Sequence, residues 1–184
     1  MNNSNKQILE VASILLDKEK FKTVTILTEN EIPDTSGLYA IRIQNINILP
    51  KEYRNELVKR NDTLLYIGKA KNLRMRLWRE ELHAQHPATF FRTIGAVLEY
   101  RPPKGSLSGK GKYNYRFSSD DNTAIIEWIK DNLLVHFVEF KGNIHDVEKE
   151  MLKEVKPIMN IQNNPQALQL LKDSRKECRD IANS

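Results

Sequence analysis

The sequence contains little cysteine, no internal repeat and no long apolar run. Cys178 is the single cysteine among 184 residues, which excludes an intrachain disulfide and a cysteine-rich zinc module. The amphipathic segment at residues 7–20 is interrupted by Glu10, Asp17 and Glu19, and neither a signal peptide nor a membrane-spanning helix has this composition. The sequence therefore predicts a cytoplasmic protein without a membrane partner.

Length and charge narrow the class of protein further. A chain of 184 residues that is 40% hydrophobic can bury one core and is too short to favour two. Its 29 basic and 24 acidic residues give a net charge of +5. Between positions 51 and 79 the basic residues are Lys51, Arg54, Lys59, Arg60, Lys69, Lys71, Arg74, Arg76 and Arg79. Such a cluster predicts a surface that follows the phosphates of a nucleic acid.

The strongest local signal lies inside this basic cluster. Residues 64–67 form an apolar and aromatic run that predicts a strand ending at Gly68. Asn72 is a favourable N-cap, and Leu73 and Leu77 are spaced to share one face of the helix that follows. Glycine permits close backbone approach and a helix N-terminus favours an anion. By itself, the pattern leaves open a phosphate site or a strand, turn and helix with solvated lysines.

Hydrophobic periodicity and turn residues predict the remaining elements. Helices are predicted near residues 7–20, 50–60, 72–83, 90–98, 119–130, 144–156 and 165–182, and strands near 23–27, 38–43, 64–67 and 133–140. The strand at 38–43 alternates as if one face were exposed, and Val58 is predicted to face the core. Antiparallel pairing of 38–43 with 64–67 would bring Tyr39 and Tyr66 to one cleft.

Several motifs in this order resemble the GIY-YIG nuclease family. Tyr66-Ile67-Gly68 matches one half of the signature, and Gly37-Leu38-Tyr39 resembles the other half with leucine in place of isoleucine. Residues 68–76 resemble the N-terminal nuclease domain of the UvrC excision-repair subunit. Glu148 followed by Leu152, Pro157 and Asn160 is similar to the family's ending. Residues 89–98 and 157–165 are similar to segments of small stand-alone bacterial members.

The resemblance implies a fold and a reaction. The fold would be α/β (α+β), with a small central antiparallel β-sheet flanked by helices. The chain would be one domain over residues 1–184, with a helical extension at 1–33, a catalytic core at 34–165 and a C-terminal helix at 166–184. The reaction would be hydrolysis of DNA phosphodiester bonds by an endonuclease that uses Mg²⁺ or Mn²⁺.

The resemblance also implies site residues. The catalytic set would be Tyr39, Tyr66, Lys69, Arg76, Glu148 and Asn160, and DNA phosphates would be bound by Lys69, Lys71, Arg74 and Arg79. Glu148 would bind the metal, because Mg²⁺ prefers oxygen ligands and keeps several waters. Arg76 would stabilise charge on the scissile phosphate, and Asn160 would tie the C-terminal segment to the site. Tyr39 would help to deprotonate water, which requires its pKa to fall below about 10, through Lys69 or a metal-bound water nearby.

Simpler interpretations accompany these roles. The tyrosines could be core aromatics of strands, and Glu148 could pair with Arg76 or a lysine for structural reasons. Where the family has Tyr or His, one helical turn after the arginine, this chain has Glu80. Glu80 could bind metal, pair with Arg76 or indicate weakened catalysis, and His83 could substitute for the missing residue. A metal pair of His83 and His86 is disfavoured because it has no third ligand nearby.

Residues 101–112 are rich in glycine, proline and lysine, which predicts a flexible surface loop or, alternatively, a basic arm that contacts nucleic acid. Three functions therefore remain for the chain. The leading one is the nuclease. The others are a catalytically weakened nucleic-acid-binding module of the same fold and a structural or partner-binding protein.

Overall fold

The computed structural model describes residues 3–86, 88–107 and 114–184. Its antiparallel sheet has the order β1-β4-β2-β3 and consists of β1 (Lys22–Thr23), β2 (Gly37–Ile43), β3 (Leu64–Ala70) and β4 (Leu133–Glu139). The helices are α1 (Asn3–Leu15), α2 (Lys51–Arg60), α3 (Thr89–Val97), α4 (Ser119–Asn132), α5 (Ile144–Val155) and α6 (Gln169–Asn183), with a π-helix (Arg74–Leu82) after β3. The predicted α+β fold, a central antiparallel sheet flanked by helices, is confirmed.

The pairing of β2 with β3 fixes which side chains share a face. Tyr39 lies opposite Gly68, and Leu38 lies opposite Lys69. Opposite residues of an antiparallel pair point to the same face, and successive residues alternate. Tyr39 and Tyr66 therefore share one face, with ring centroids 6.2 Å apart, whereas Lys69 projects from the other. The antiparallel pairing predicted for these two strands is confirmed.

Apolar cores lie on both faces of the sheet. The face of Tyr39 packs against α2, α3, α4, α6 and the π-helix, and the opposite face packs against α1 and α5. Both faces of β2 are consequently covered, and all seven of its residues are buried. The prediction of a half-exposed strand was wrong, because alternation in the sequence did not reveal that helices cover both sides.

Three local predictions also need correction. Helix α1 ends at Leu15 rather than near residue 20, and a 3₁₀ turn at Lys18–Lys20 follows it. The strand predicted at 23–27 is only β1 followed by a 3₁₀ turn at Val24–Ile26. Val58 is 62% exposed, because it lies about 140° around α2 from the buried Tyr53 at 3.6 residues per turn.

The segment at 101–112, predicted as a loop or a basic arm, is described only up to residue 107, and its remaining part lies outside the described residues. Within the described part, Arg101 pairs with Glu177 at 2.7 Å. In the ranges that the structure covers, none of the helices has the length and apolar character needed to cross a bilayer.

Strand β3 is at the edge of the sheet, and the chain after α5 covers it. The Met159 N–H donates to Leu65 O at 2.8 Å. The side-chain amide of Asn160 accepts from Ile67 N at 2.9 Å and donates to Ile67 O at 2.8 Å. Asn160 thus bonds to β3 as the peptide group of a neighbouring strand would, and it attaches the C-terminal segment beside the two faces described above.

Candidate active site

The ring of Tyr39 lies across Gly68, its partner in β3. A Cβ at Gly68 would be 2.7 Å from Tyr39 Cε1 and closer still to Cζ and the hydroxyl oxygen. A Cβ at Gly37 would be 2.7 Å from Leu73 Cδ1 and closer still to Val138 O. The two glycines of the motif are therefore required by close approach: Gly68 to the tyrosine ring, and Gly37 to β4 and the start of the π-helix.

The Tyr39 hydroxyl binds a buried carboxylate that sequence analysis did not identify. It donates to Glu81 Oε1 at 3.0 Å, and Glu81 is 0% exposed. Arg76 Nε lies 3.2 Å from the same oxygen, and the Phe91 N–H donates to Glu81 Oε2 at 3.1 Å. Glu81 follows Leu77 by four residues, so its position on the apolar face of a predicted helix was a signal that could have indicated it.

Arg76 links this buried carboxylate to the surface. Its Nη1 pairs with Glu80 Oε2 at 2.8 Å, and its Nη2 lies 3.4 Å from Thr89 Oγ1. Of the three roles considered for Glu80, pairing with Arg76 is the one present in this arrangement. The Nδ1 of His83, the residue considered as a substitute for the missing one, lies 2.8 Å from Trp78 O.

The electrostatics of the tyrosines differ from the expectation for a base. Burial, followed by the neighbouring Glu81 carboxylate, raises the pKa of Tyr39 well above its ordinary value. Burial and Glu81 likewise raise the pKa of Tyr66. Lys69 projects from the opposite face, so it is not placed to lower the pKa of Tyr39. Burial also raises the pKa of Glu81, although Arg76 opposes this effect.

Lys69 contacts Glu148 instead. Its ammonium bonds Glu148 Oε2 and lies 2.8 Å from His145 Nδ1. Glu148 is 8% exposed and lies beside Val147 and Met151 on the buried side of α5. A carboxylate in such surroundings needs a charged partner, and Lys69 supplies it. The simpler interpretation of Glu148, a pair with a lysine, is thus compatible with the geometry as well.

The predicted site residues form two groups on the two faces of the sheet. The arginine cluster is Tyr39, Arg76, Glu80 and Glu81. The lysine cluster is Lys69, His145 and Glu148. They adjoin at β3, since Lys69 directly follows Gly68, and the ring of Tyr39 lies across Gly68. The single open pocket expected from the sequence is therefore two clusters joined at an edge strand.

The other predicted phosphate-binding residues differ in availability. Arg74 Nε donates to Ile32 O at 2.9 Å, and Arg79 pairs with Glu29 at 2.6 Å. Lys71 is exposed. Intramolecular partners thus engage the two arginines, whereas Lys71 faces solvent beside the lysine cluster in the chain.

A cavity of about 430 Å³ between α2, α3 and α6 is lined by none of the predicted site residues. Among residues 3–86, 88–107 and 114–184, no three His, Cys, Asp or Glu side chains are grouped to hold a metal ion.

Comparison with known protein families gives a match. The family model described as GIY-YIG catalytic domain matches residues 37–179, which include both halves of the signature, both clusters and Asn160. Neither the curated proteins nor the solved structures gave a match.

Proposed function

This chain belongs to the GIY-YIG family, and from that premise we propose that it is a divalent-metal-dependent endonuclease that hydrolyses DNA phosphodiester bonds. Family membership supports a nuclease-type function. The metal requirement and the DNA substrate are the further steps of the proposal. The observation that carries them is the meeting of the arginine and lysine clusters around β3, although their members come from distant parts of the chain.

Glu148 is the residue that would hold the metal ion. Its Oε2 contacts the Lys69 ammonium. One carboxylate fits Mg²⁺ or Mn²⁺, because such hard ions bind oxygen and complete their coordination with water and substrate phosphate. When bound, the ion would polarise the phosphodiester and provide a water with a lowered pKa. Carboxylates also outnumber cations in the two clusters, so a divalent ion would offset their repulsion of a phosphate.

Arg76 would bind a non-bridging phosphate oxygen through its exposed Nη edge. The Arg76 side chain is 32% exposed, and the group that the guanidinium would have to release is Glu80, whose side chain is 24% exposed. Lys69 and Lys71 would add positive charge along the approaching strand. Tyr39 would act as a neutral phenol, since its pKa is raised and its proton is donated to Glu81. Its oxygen would then accept a hydrogen bond from other groups in the site, and the hydroxyl would keep its proton.

One observation favours the second candidate, a nucleic-acid-binding module with little or no turnover. Glu80 occupies the phosphate-facing edge of Arg76, where the family has Tyr or His. A carboxylate there competes with phosphate for the same guanidinium, which would slow cleavage more than it weakens overall DNA attraction.

The test is nicking of supercoiled plasmid and cleavage of single-stranded DNA, with and without Mg²⁺ or Mn²⁺. We expect metal-dependent cleavage that falls at least about 100-fold in Glu148→Gln. The control is Glu150→Gln, an exposed glutamate of the same helix that pairs with Lys153 at 2.7 Å and should leave cleavage unchanged. Binding without cleavage would support the second candidate. The absence of both DNA binding and DNA cleavage would favour a structural protein.

A further inference from the structure

Glu81 lies where β2, the π-helix and α3 meet. On the basis of the proposed nuclease function, we infer that Glu81 is a positioning residue that fixes Tyr39 and Arg76 relative to each other for action on a phosphate. No substrate group has to touch it. Its effect would be transmitted through the two side chains that bind it.

The contacts leave the Glu81 carboxylate little freedom. Oε1 is shared by the Tyr39 hydroxyl at 3.0 Å and Arg76 Nε at 3.2 Å, and Oε2 accepts from Phe91 N at 3.1 Å. Because Nε is held from inside, the two Nη groups of Arg76 are directed towards Glu80 and Thr89. This is the edge of a guanidinium that binds a phosphate through two N–H groups.

The third contact makes Glu81 the cap of a neighbouring helix. Helix α3 has Ala88 at its N-cap, and alanine has no side-chain oxygen to accept from the first turn. Phe91 is the third residue of that helix, and its N–H bonds to Glu81 instead. The positive end of the α3 dipole and the charge of Arg76 both stabilise the buried carboxylate. The element that carries Arg76 is thereby attached to α3, and both are fixed against the ring of Tyr39.

Glu80 provides an internal contrast. The adjacent glutamates pair with the same arginine, but the side chain of Glu80 is 24% exposed and that of Glu81 is 0% exposed. A phosphate can displace Glu80 from the outer edge of Arg76, whereas it cannot reach Glu81. We therefore assign opposite effects to the two residues: Glu81 orders Arg76, and Glu80 competes with the substrate.

The experiment compares Glu81→Gln with Glu80→Gln in the full chain. For Glu81→Gln, kcat for DNA cleavage should fall on the order of 100-fold with KM changed less than about 3-fold, because misplacement by about 1 Å costs a factor of that size. For Glu80→Gln, kcat should rise, because the competing carboxylate is removed, and KM should not increase. In ¹H–¹⁵N spectra, the Nε–H resonance of Arg76 should be protected from exchange in wild type and Glu80→Gln and should lose protection in Glu81→Gln.

Equal losses of kcat in the two variants, or a wild-type kcat and protected resonance in Glu81→Gln, would overturn the inference. If Glu81→Gln does not fold, Glu81→Asp keeps the charge and shortens the side chain by one methylene. That variant must then show a lower kcat and a shifted Arg76 resonance, and wild-type values for it would refute positioning. If wild type cleaves no DNA, the proposed function fails, and the spectra still decide whether Glu81 orders Arg76.

Discussion

The substitution Gly68→Ala tests how tightly the motif is packed. The new methyl would overlap the Tyr39 ring, which is 1% exposed and is held by Glu81 through its hydroxyl. Forcing a methyl into a packed core costs about 1–3 kcal/mol. Displacing the ring also weakens a hydrogen bond to a charged group, which contributes about 1.5–3 kcal/mol. We expect a total loss of about 3–5 kcal/mol, a large part of the stability of an ordinary domain at about 5–15 kcal/mol.

The assay is urea unfolding followed by the fluorescence of Trp78 and Trp128. Gly105→Ala is the control, because its Cβ would meet nothing within 4 Å although its φ is +69°. It should cost about 1–2 kcal/mol through backbone conformation alone. The double variant of Gly68→Ala with Tyr39→Leu removes the far end of the ring, and it should lose at least about 2 kcal/mol less than the sum of the single variants.

Two results would refute this reasoning. One is a Gly68→Ala protein within about 1 kcal/mol of wild type, which would mean that the ring moves without cost. The other is additivity in the double-mutant cycle, which would mean that the methyl is resisted by something other than Tyr39.

Three further predictions concern stability. The variant Asn160→Asp keeps the acceptor for the Ile67 N–H but places an oxygen against the Ile67 carbonyl. The free energy of unfolding in urea should fall by about 2–3 kcal/mol. A decrease below about 0.5 kcal/mol would contradict the bridging role of Asn160. The hydrogen bond from Lys22, and after it backbone N–H donation, lowers the pKa of Glu31 from 4.5 to about 2. The stabilisation by ionised Glu31 is therefore present above pH 4.5 and is lost as the pH falls towards 2. The variant Glu31→Gln should reduce this loss of stability at low pH, and a pH profile of unfolding equal to that of wild type would contradict the prediction. The variant Lys69→Met leaves the Glu148 carboxylate without its charged partner. The free energy of unfolding at neutral pH should fall by about 3 kcal/mol, the low end of the range for buried pairs, because the Lys69 side chain is 29% exposed. Adding Glu148→Gln should restore part of this loss.

The sheet could be predicted because its information is local. The apolar run at 64–67 and the turn before Gly37 locate both strands, and their apolar pattern favours the antiparallel pairing across the connection at 44–63. The predicted end at Gly68 was wrong, because β3 continues through this glycine to Ala70 in its pairing with β2. Strand β1 and the end of α1 could not be predicted with the same success, since both depend on packing against β4. The π-helical form of Arg74–Leu82 has no counterpart in the hydrophobic spacing, which suits an α-helix equally well.

The site was predicted less completely. Tyr66 and Lys69 are three positions apart, so alternation along a strand places their side chains on opposite faces of the sheet. The resemblance to the family motif nevertheless assigned both residues to one site. Glu81 escaped notice because its partners come from β2 and α3, and a buried acid among apolar residues is only interpretable once those partners are known. The resemblance to the family motif thus identified most of the site residues, whereas their division into two clusters could be seen only in the three-dimensional structure.

The attachment of Met159 and Asn160 to β3 has a consequence for the behaviour of shortened chains. An uncovered edge strand offers free peptide groups to any other strand, including one from a second molecule. A protein truncated before Met159 would retain the signature motif and α5 but would present a bare β3, so we expect it to self-associate or precipitate rather than remain monodisperse. Residues 159–179, the last part of the family match, would then prevent intermolecular β-pairing, independent of any chemistry at the site.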